Sequence, residues 1–171
     1  MSEIFFNGFG KQYLKPEDKT IRERYSVYGI VHVKDINKYL FIVPNANIKI
    51  DFFKLVGGGI KQGEDLYQAI NREMIEEIGY PLNDNFKKVD ELSYKFNFKP
   101  IRDTDEYWYN YQTYYLFEVD TFDQTGYPST SWIAEEEDFP VELLEYDYIK
   151  NNLNNFHFSI QLAIDKLILN R

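Results

Sequence analysis

The segment from Gly58 to Tyr80, GGIKQGEDLYQAINREMIEEIGY, constrains the fold most, because a glycine-rich turn runs directly into one short amphipathic helix. Asp65 stands where a helix N-cap is expected, and Gly79 suits a left-handed C-terminal stop. Between these two positions apolar residues recur at helical spacing, namely Leu66, Ala69, Ile70, Met74 and Ile78. The segment therefore predicts a helix between Asp65 and Gly79 with an apolar face turned to the core.

The same helix carries carboxylates at the border of its apolar face. At about 100° per residue, Glu77 falls at about 20° and Glu73 at roughly −20° when Leu66 is placed at 0°. Clustered carboxylates near a core are costly unless a positive charge lies among them. A hard divalent cation, Mg²⁺ or Mn²⁺, would meet that need, since such ions prefer oxygen ligands. The alternative is an amphipathic surface helix with spare glutamates.

The segment also resembles the 23-residue signature of the Nudix hydrolase family at its fixed positions. Gly58 is followed after five residues by Glu64 and, after seven more, by Arg72 and Glu73. Met74, Ile75, Glu76, Glu77, Ile78 and Gly79 then complete the pattern. Only Tyr80 departs from it, because an aliphatic residue is usual at that position.

This resemblance implies an α/β fold, a Nudix-type α/β/α sandwich with a mixed β-sheet. It also implies that Glu73, Glu76 and Glu77 are metal ligands; Glu73 and Glu77, four residues apart, can reach the same ion, and Glu76 can bind a second ion or a bridging water. By the same resemblance Arg72 makes an orienting salt bridge to Glu64, and a solvated Arg72 is the alternative. The implied function is a divalent-metal-dependent hydrolase that cleaves the pyrophosphate linkage of a nucleoside diphosphate joined to another group. The partner is then a small-molecule nucleoside diphosphate derivative, and its identity is left open.

Gly57 begins a run of three glycines, where missing side chains let the backbone approach an ion or a phosphate. Its carbonyl is therefore a candidate metal ligand, and a tight strand-to-loop turn is the alternative.

Three positions are candidates for the general base. Glu73 is one, and an acid of the run 135–138, represented by Glu136, is the second, because several members of the resembled family carry a catalytic acid in a comparable loop. A solvated loop is the alternative for that run. Glu118 is the third, since a charge in mid-strand either faces solvent or points into the site.

The remaining chain predicts one domain over 1–171 built mostly of strands. Period-two patterns and turn residues favour strands at 4–6, 25–33, 39–43, 53–56, 89–98 and 107–119, and helical periodicity favours a helix at 160–168. Six aromatic residues crowd one strand, where about half should be sheet core and some could stack a base: Tyr107, Trp108, Tyr109, Tyr111, Tyr114 and Tyr115. His32 and His157 lack a partner spacing and are expected to be structural.

Composition narrows the function classes. The absence of cysteine excludes a thiolate nucleophile and makes a related isopentenyl diphosphate isomerase unsuitable, since that chemistry uses a cysteine. The net charge of −9 argues against a nucleic-acid surface. No apolar run is long enough for a membrane span and the start shows no secretory pattern, so a cytoplasmic location without membrane partners is expected. A homodimer stays open, as does a non-catalytic Nudix-like module that binds or senses a nucleotide.

Overall fold

The computed structural model describes residues 3–44, 51–100, 106–122 and 141–171. Its strands join into one sheet: β1 (Ile4–Phe6), β2 (Gln12–Leu14), β3 (Ile21–Val33), β4 (Lys38–Ile42), β5 (Val56–Gly59), β6 (Lys87–Phe98), β7 (Tyr107–Val119) and β8 (Val141–Glu145). The strand order is β2-β1-β6-β7-β3-β4-β8, and β5 pairs with β3.

The long strand β3 organises this sheet. It runs parallel to β7 along its whole length, from Ile21 opposite Tyr107 to Val33 opposite Val119. Its other edge pairs antiparallel with β5 and then with β4. Because β1 also runs parallel to β6 while β6 runs antiparallel to β7, the sheet is mixed.

Helices cover both faces of the sheet. The helix α1 (Leu66–Ile78) packs Ile70 and Met74 against Val27, Val31 and Phe117 on one face. The opposite face is covered by α2 (Tyr146–Asn151), a 3₁₀ turn (Phe158–Ile160), α3 (Gln161–Ile164) and a π-helical turn (Asp165–Leu169). The predicted α/β/α sandwich with a mixed sheet is therefore confirmed.

Residues 53–56 were predicted as the strand that enters the glycine run, and this prediction is wrong. The strand is Val56–Gly59, and its three glycines pair with Ser26, Val27 and Tyr28 of β3. Phe53 and Lys54 make only isolated bridges, to Phe156 and Ile42. Glycine has a low strand propensity, but here its missing side chain lets α1 lie against the strand.

Other differences concern short or polar elements. The strands β2 and β8 and the helix α2 were not predicted, and β3 begins at Ile21 instead of residue 25. The predicted helix at 160–168 is present as three short helical turns of different type. No helix within the described parts of the chain has the length and apolar character needed to cross a membrane.

Candidate active site

The helix that carries the glutamates is fixed at both ends by local hydrogen bonds. The Asp65 carboxylate accepts from the backbone N–H of Gln68 at 2.8 Å, and the Gln68 side chain accepts from the N–H of Asp65 at 2.9 Å. This capping box satisfies two N–H groups that the helix itself cannot use. At the other end Gly79 takes a left-handed conformation with φ of 69°. The predicted helix and both of its caps are thus confirmed.

Glu73 and Glu77 converge beside the glycine strand. The Glu77 carboxylate accepts from the backbone N–H of Gly57 at 2.8 Å and lies within hydrogen-bonding reach of Glu73. Burial raises the pKa of Glu77 well above its ordinary value, the Gly57 N–H acts against this, and the charge of Glu73 raises the pKa further. A positive charge placed next to this carboxylate pair would therefore stabilise its ionised form.

Arg72 binds three carboxylates and one backbone carbonyl. Its guanidinium donates to Glu64 through Nε at 2.6 Å and Nη2 at 3.0 Å, as the expected salt bridge requires. It also donates to Glu73 at 2.7 Å, to Glu76 at 3.0 Å and to the carbonyl of Gly59 at 2.9 Å. The Arg72 guanidinium and the Lys61 N–H hold the pKa of Glu64 down at about 2. Arg72 thereby joins the loop before α1, the helix and β5.

The three expected metal ligands are only partly brought together. Glu76 is bound by Arg72, is 3.8 Å from the Lys61 ammonium, and is 29 % exposed against 12 % for Glu73. In the described segments no three histidine, aspartate or glutamate side chains converge closely enough to hold one ion. The same Arg72 nitrogen, Nη1, contacts both Glu73 and Glu76, and the Lys61 ammonium adds a second positive charge beside Glu76 alone.

The glycine run gives the glutamates their close approach to the backbone. Gly57 has a φ of 143°, and a Cβ there would lie 2.7 Å from the Cα of Tyr28 and closer still to the Val27 carbonyl. A Cβ on Gly58 would lie 2.7 Å from a carboxylate oxygen of Glu73. Larger residues at these two positions would displace the strand or the carboxylates.

The residues present fit a hard divalent cation at the Glu73–Glu77 pair. Two carboxylates supply oxygen ligands, and the raised pKa of Glu77 marks a charge that the protein leaves largely uncompensated. The N–H of Gly57 is already directed to Glu77, which places this glycine next to the pair.

These glutamates border a cavity of about 680 Å³. Two cations, Arg24 and Lys54, also line it, and the Arg24 guanidinium lies 5.7 Å from the centre of the Trp108 ring. Across β3 from the glycines, the wall is formed by Asn110 and Gln112 of β7. The cavity thus has carboxylates beside the glycine strand and amides on β7, with Arg24 of the intervening strand β3 between them.

His157 also lines this cavity. The sequence did not predict this position for it. Its Nδ1 accepts from the backbone N–H of Ser159 at 3.2 Å and lies 2.9 Å from the Ser159 hydroxyl. Burial, with the nearby charge of Lys54 adding to it, lowers its pKa to about 4, so the ring is neutral at pH 7. Since Nδ1 is an acceptor, the single proton of the neutral ring is on Nε2.

The other candidate residues lie elsewhere. Glu118 is 3.3 Å from Arg171 and 3.6 Å from His32, and it does not line the cavity, so the structure does not bring this candidate base to the glutamates. Glu136 and the run 135–138 lie outside the described residues. Half of the six aromatic residues are sheet core, as predicted: Tyr107, Tyr114 and Tyr115. None of the six lines the cavity; the aromatic residues that do are Tyr28 and Phe98.

Comparison with known proteins places this site in a family. No curated protein is significantly similar to the chain in sequence. A solved dihydroneopterin triphosphate pyrophosphohydrolase from E. coli superposes with a TM-score of 0.64 at 16% identity over 89% of this chain and 100% of its own. A NUDIX hydrolase from Nitrosomonas europaea gives 0.57 at 16% identity, with 85% and 87% covered, and an ADP compounds hydrolase gives 0.51 at 18% identity, with 94% and 76% covered.

These structures share the fold with the chain, and the sequence itself supplies the family. The family model described as the NUDIX domain matches residues 24–160, which contain the glycine strand, α1 and the cavity wall on β7. The chain belongs to the NUDIX family.

Proposed function

We propose that this chain is a divalent-metal-dependent pyrophosphohydrolase whose substrate is a nucleoside diphosphate joined to another group. Membership of the NUDIX family identifies it as a Nudix hydrolase, a class that acts on nucleoside diphosphate derivatives and generally needs a divalent metal. Among the similar folds are proteins described as acting on ADP compounds and on dihydroneopterin triphosphate. The observation that carries the proposal is the Glu73–Glu77 pair beside Gly57 at the edge of a large cavity.

Each residue of the site has a part in this proposal. Glu73 and Glu77 would hold one metal ion, with the Gly57 carbonyl as a further ligand, and Glu76 would bind a second ion or a bridging water. Arg72 Nη1, which contacts Glu73 and Glu76, would then release both, while Nε and Nη2 keep their bonds to Glu64 and the Gly59 carbonyl. Mg²⁺ or Mn²⁺, when bound, stabilises charge on phosphate oxygens and lowers the pKa of a coordinated water. Arg72, with Glu64, fixes the orientation of the helix relative to the loop and to β5. Lys54 and Arg24 attract the diphosphate to the cavity.

In the reaction, the oxygen of a water attacks one phosphorus, and the bond from that phosphorus to the bridging oxygen breaks. A carboxylate takes the proton of the water, and the products are a nucleoside monophosphate and the phosphorylated remainder of the substrate. Glu73 and an acid of the run 135–138 are the two candidates for this base. Glu118 is a weaker candidate because it is held by Arg171 away from the cavity.

A substrate panel with Mg²⁺ and with Mn²⁺ tests the proposal directly. Nucleoside diphosphate sugars, dinucleoside polyphosphates and nucleoside triphosphates are incubated with the protein, and phosphate is measured after phosphatase treatment of the products. We expect metal-dependent release from at least one class. Tight nucleotide binding without hydrolysis under either metal would contradict the proposal and would instead identify a binding module.

A further inference from the structure

Two amide side chains are buried in the wall of the cavity. Asn110 and Gln112 are two residues apart on β7, so their side chains lie on the same face of the sheet. Their exposed fractions are only 6 % and 2 %. Side-chain amides are seldom buried this deeply without hydrogen-bond partners. The hydrogen bonds that these two amides make, and the groups left without one, therefore indicate what kind of ligand group they can bind.

The oxygen of each amide already has a donor. The Ser26 hydroxyl donates to Asn110 Oδ1 at 2.8 Å, and the Tyr114 hydroxyl donates to Gln112 Oε1 at 2.8 Å. The NH₂ groups have no acceptor among the described residues, where the only fully enclosed side-chain atom without a partner is Asn97 Oδ1. The NH₂ groups are therefore reached from the cavity, and each amide presents donors to it.

The Arg24 guanidinium is a further hydrogen-bond donor near the two amides, because Arg24 of β3 pairs with Asn110 of β7 and lines the same cavity. His157 is neutral with its proton on Nε2, which makes it another donor. Tyr28 and Ser159 also line the cavity, and the Ser159 hydroxyl lies 2.9 Å from His157 Nδ1. Asn110, Gln112 and Arg24 consequently all present hydrogen-bond donors from this wall.

The sheet register gives the distance between this wall and the glycine strand β5. Ser26 of β3 pairs with Gly59 on one side and with Gln112 on the other. Neighbouring strands are about 4.8 Å apart, so the backbone of Gln112 lies about 10 Å from that of Gly59. A diphosphate at the glycine strand and a ring system at the amides can therefore belong to one ligand, with a sugar between them.

We propose that Asn110 and Gln112 select substrates whose heterocycle carries a carbonyl, as guanine does at C6 and uracil at C4, over those that carry an exocyclic amino group at that position, as adenine and cytosine do. This inference deepens the proposed function and rests on it. Guanine and the uracil type of ring present carbonyl acceptors, whereas adenine and cytosine present an exocyclic NH₂ donor at the corresponding edge. A donor facing the donors of the wall leaves both groups unpaired, and such buried groups are costly.

Nucleoside monophosphates test this selectivity without turnover, because they contain no diphosphate to cleave. Dissociation constants for GMP, UMP, AMP and CMP are measured by calorimetry in Mg²⁺. We expect GMP and UMP to bind roughly ten- to hundred-fold more tightly than AMP and CMP. In Gln112→Glu and Asn110→Asp, which keep the oxygens that accept from Tyr114 and Ser26, we expect this ratio to fall towards one or to reverse.

The ratio of dissociation constants is the decisive quantity, because an added carboxylate weakens the binding of all four nucleotides alike. Thr113→Val is the matched control: Thr113 lies between the two amides in sequence, faces the other side of the sheet and bonds to Ser93, so the ratio should not change. Melting temperatures identify a variant that fails to fold, and the second amide variant then decides.

Equal binding of all four nucleotides by the wild type, or an unchanged ratio in both amide variants, overturns the inference. Hydrolysis in the substrate panel without a keto preference would overturn it while the proposed function stands. A keto preference without any hydrolysis would support the selectivity of the wall and contradict the proposed function.

Discussion

Replacing Arg72 by alanine should destabilise the protein, because this one side chain joins three parts of the site. It donates five hydrogen bonds, four to carboxylates and one to the Gly59 carbonyl. Breaking a buried ion pair by removing one partner costs about 3–5 kcal/mol, and exposed pairs contribute about 0–1 kcal/mol. Arg72 is partly buried, with 19% of its side chain exposed, so about 3 kcal/mol, the lower end of the range for buried pairs, is expected.

For a chain of this size, each kcal/mol shifts the melting temperature by about 2–4 °C, so Arg72→Ala should lower it by about 6–12 °C. Lys61→Ala is the control, since Lys61 contacts the same Glu76 at 3.8 Å but is 65% exposed. It should shift the melting temperature by less than about 3 °C. Thermal unfolding followed by circular dichroism measures both variants. If Arg72→Ala melts no lower than Lys61→Ala, Arg72 does not hold the loop, the helix and β5 together.

Two further predictions concern the backbone and the pH dependence. Gly57→Ala should lower the free energy of unfolding by more than about 3 kcal/mol, because its Cβ would meet the β3 backbone. The control Gly63→Ala, at φ of 85° with open space around it, should cost only about 1–2 kcal/mol. Equal losses for the two variants in urea unfolding would contradict the proposed close approach. His157 has a folded-state pKa lowered from 6.5 to about 4, so the unfolded chain binds more protons between these values and stability should fall as the pH drops from 6.5 to 4, by up to about 3 kcal/mol. His157→Gln should flatten this part of the stability curve, and a slope equal to that of the wild type would show that another group is responsible.

The parts of the fold that local sequence determines were predicted correctly. Helix α1 depends on caps and apolar spacing within its own segment, and both are visible in the sequence. Strand β7 was predicted with its observed bounds, because residues with high strand propensity, most of them aromatic, are concentrated along it. Strand β5 was missed because its glycines are strand residues only through their pairing with β3.

The same distinction between local sequence and tertiary contacts applies to the site. Glu73 and Glu77 were predicted as neighbours because they share one helix face. The contacts of Arg72 with both Glu73 and Glu76, and of Lys61 with Glu76, depend on tertiary placement, which helical spacing does not show. A signal for the amide wall was present, since Asn110 and Gln112 interrupt a strand of aromatic residues on one face. His157 carried no such signal, because it reaches the cavity only through the packing of the C-terminal turns.

The most direct test of the central claim is the response of Glu77→Gln to Mg²⁺. Without metal the variant should melt at or above the wild-type temperature, since the buried charge is removed and Gln can still accept from Gly57. With Mg²⁺ the wild type should gain stability through binding and the variant little, and turnover of the variant should fall roughly 10²-fold or more. Glu91→Gln, an exposed glutamate paired with Lys88, should behave as the wild type. Wild-type turnover and Mg²⁺ stabilisation in Glu77→Gln would contradict the assignment of the metal site to α1.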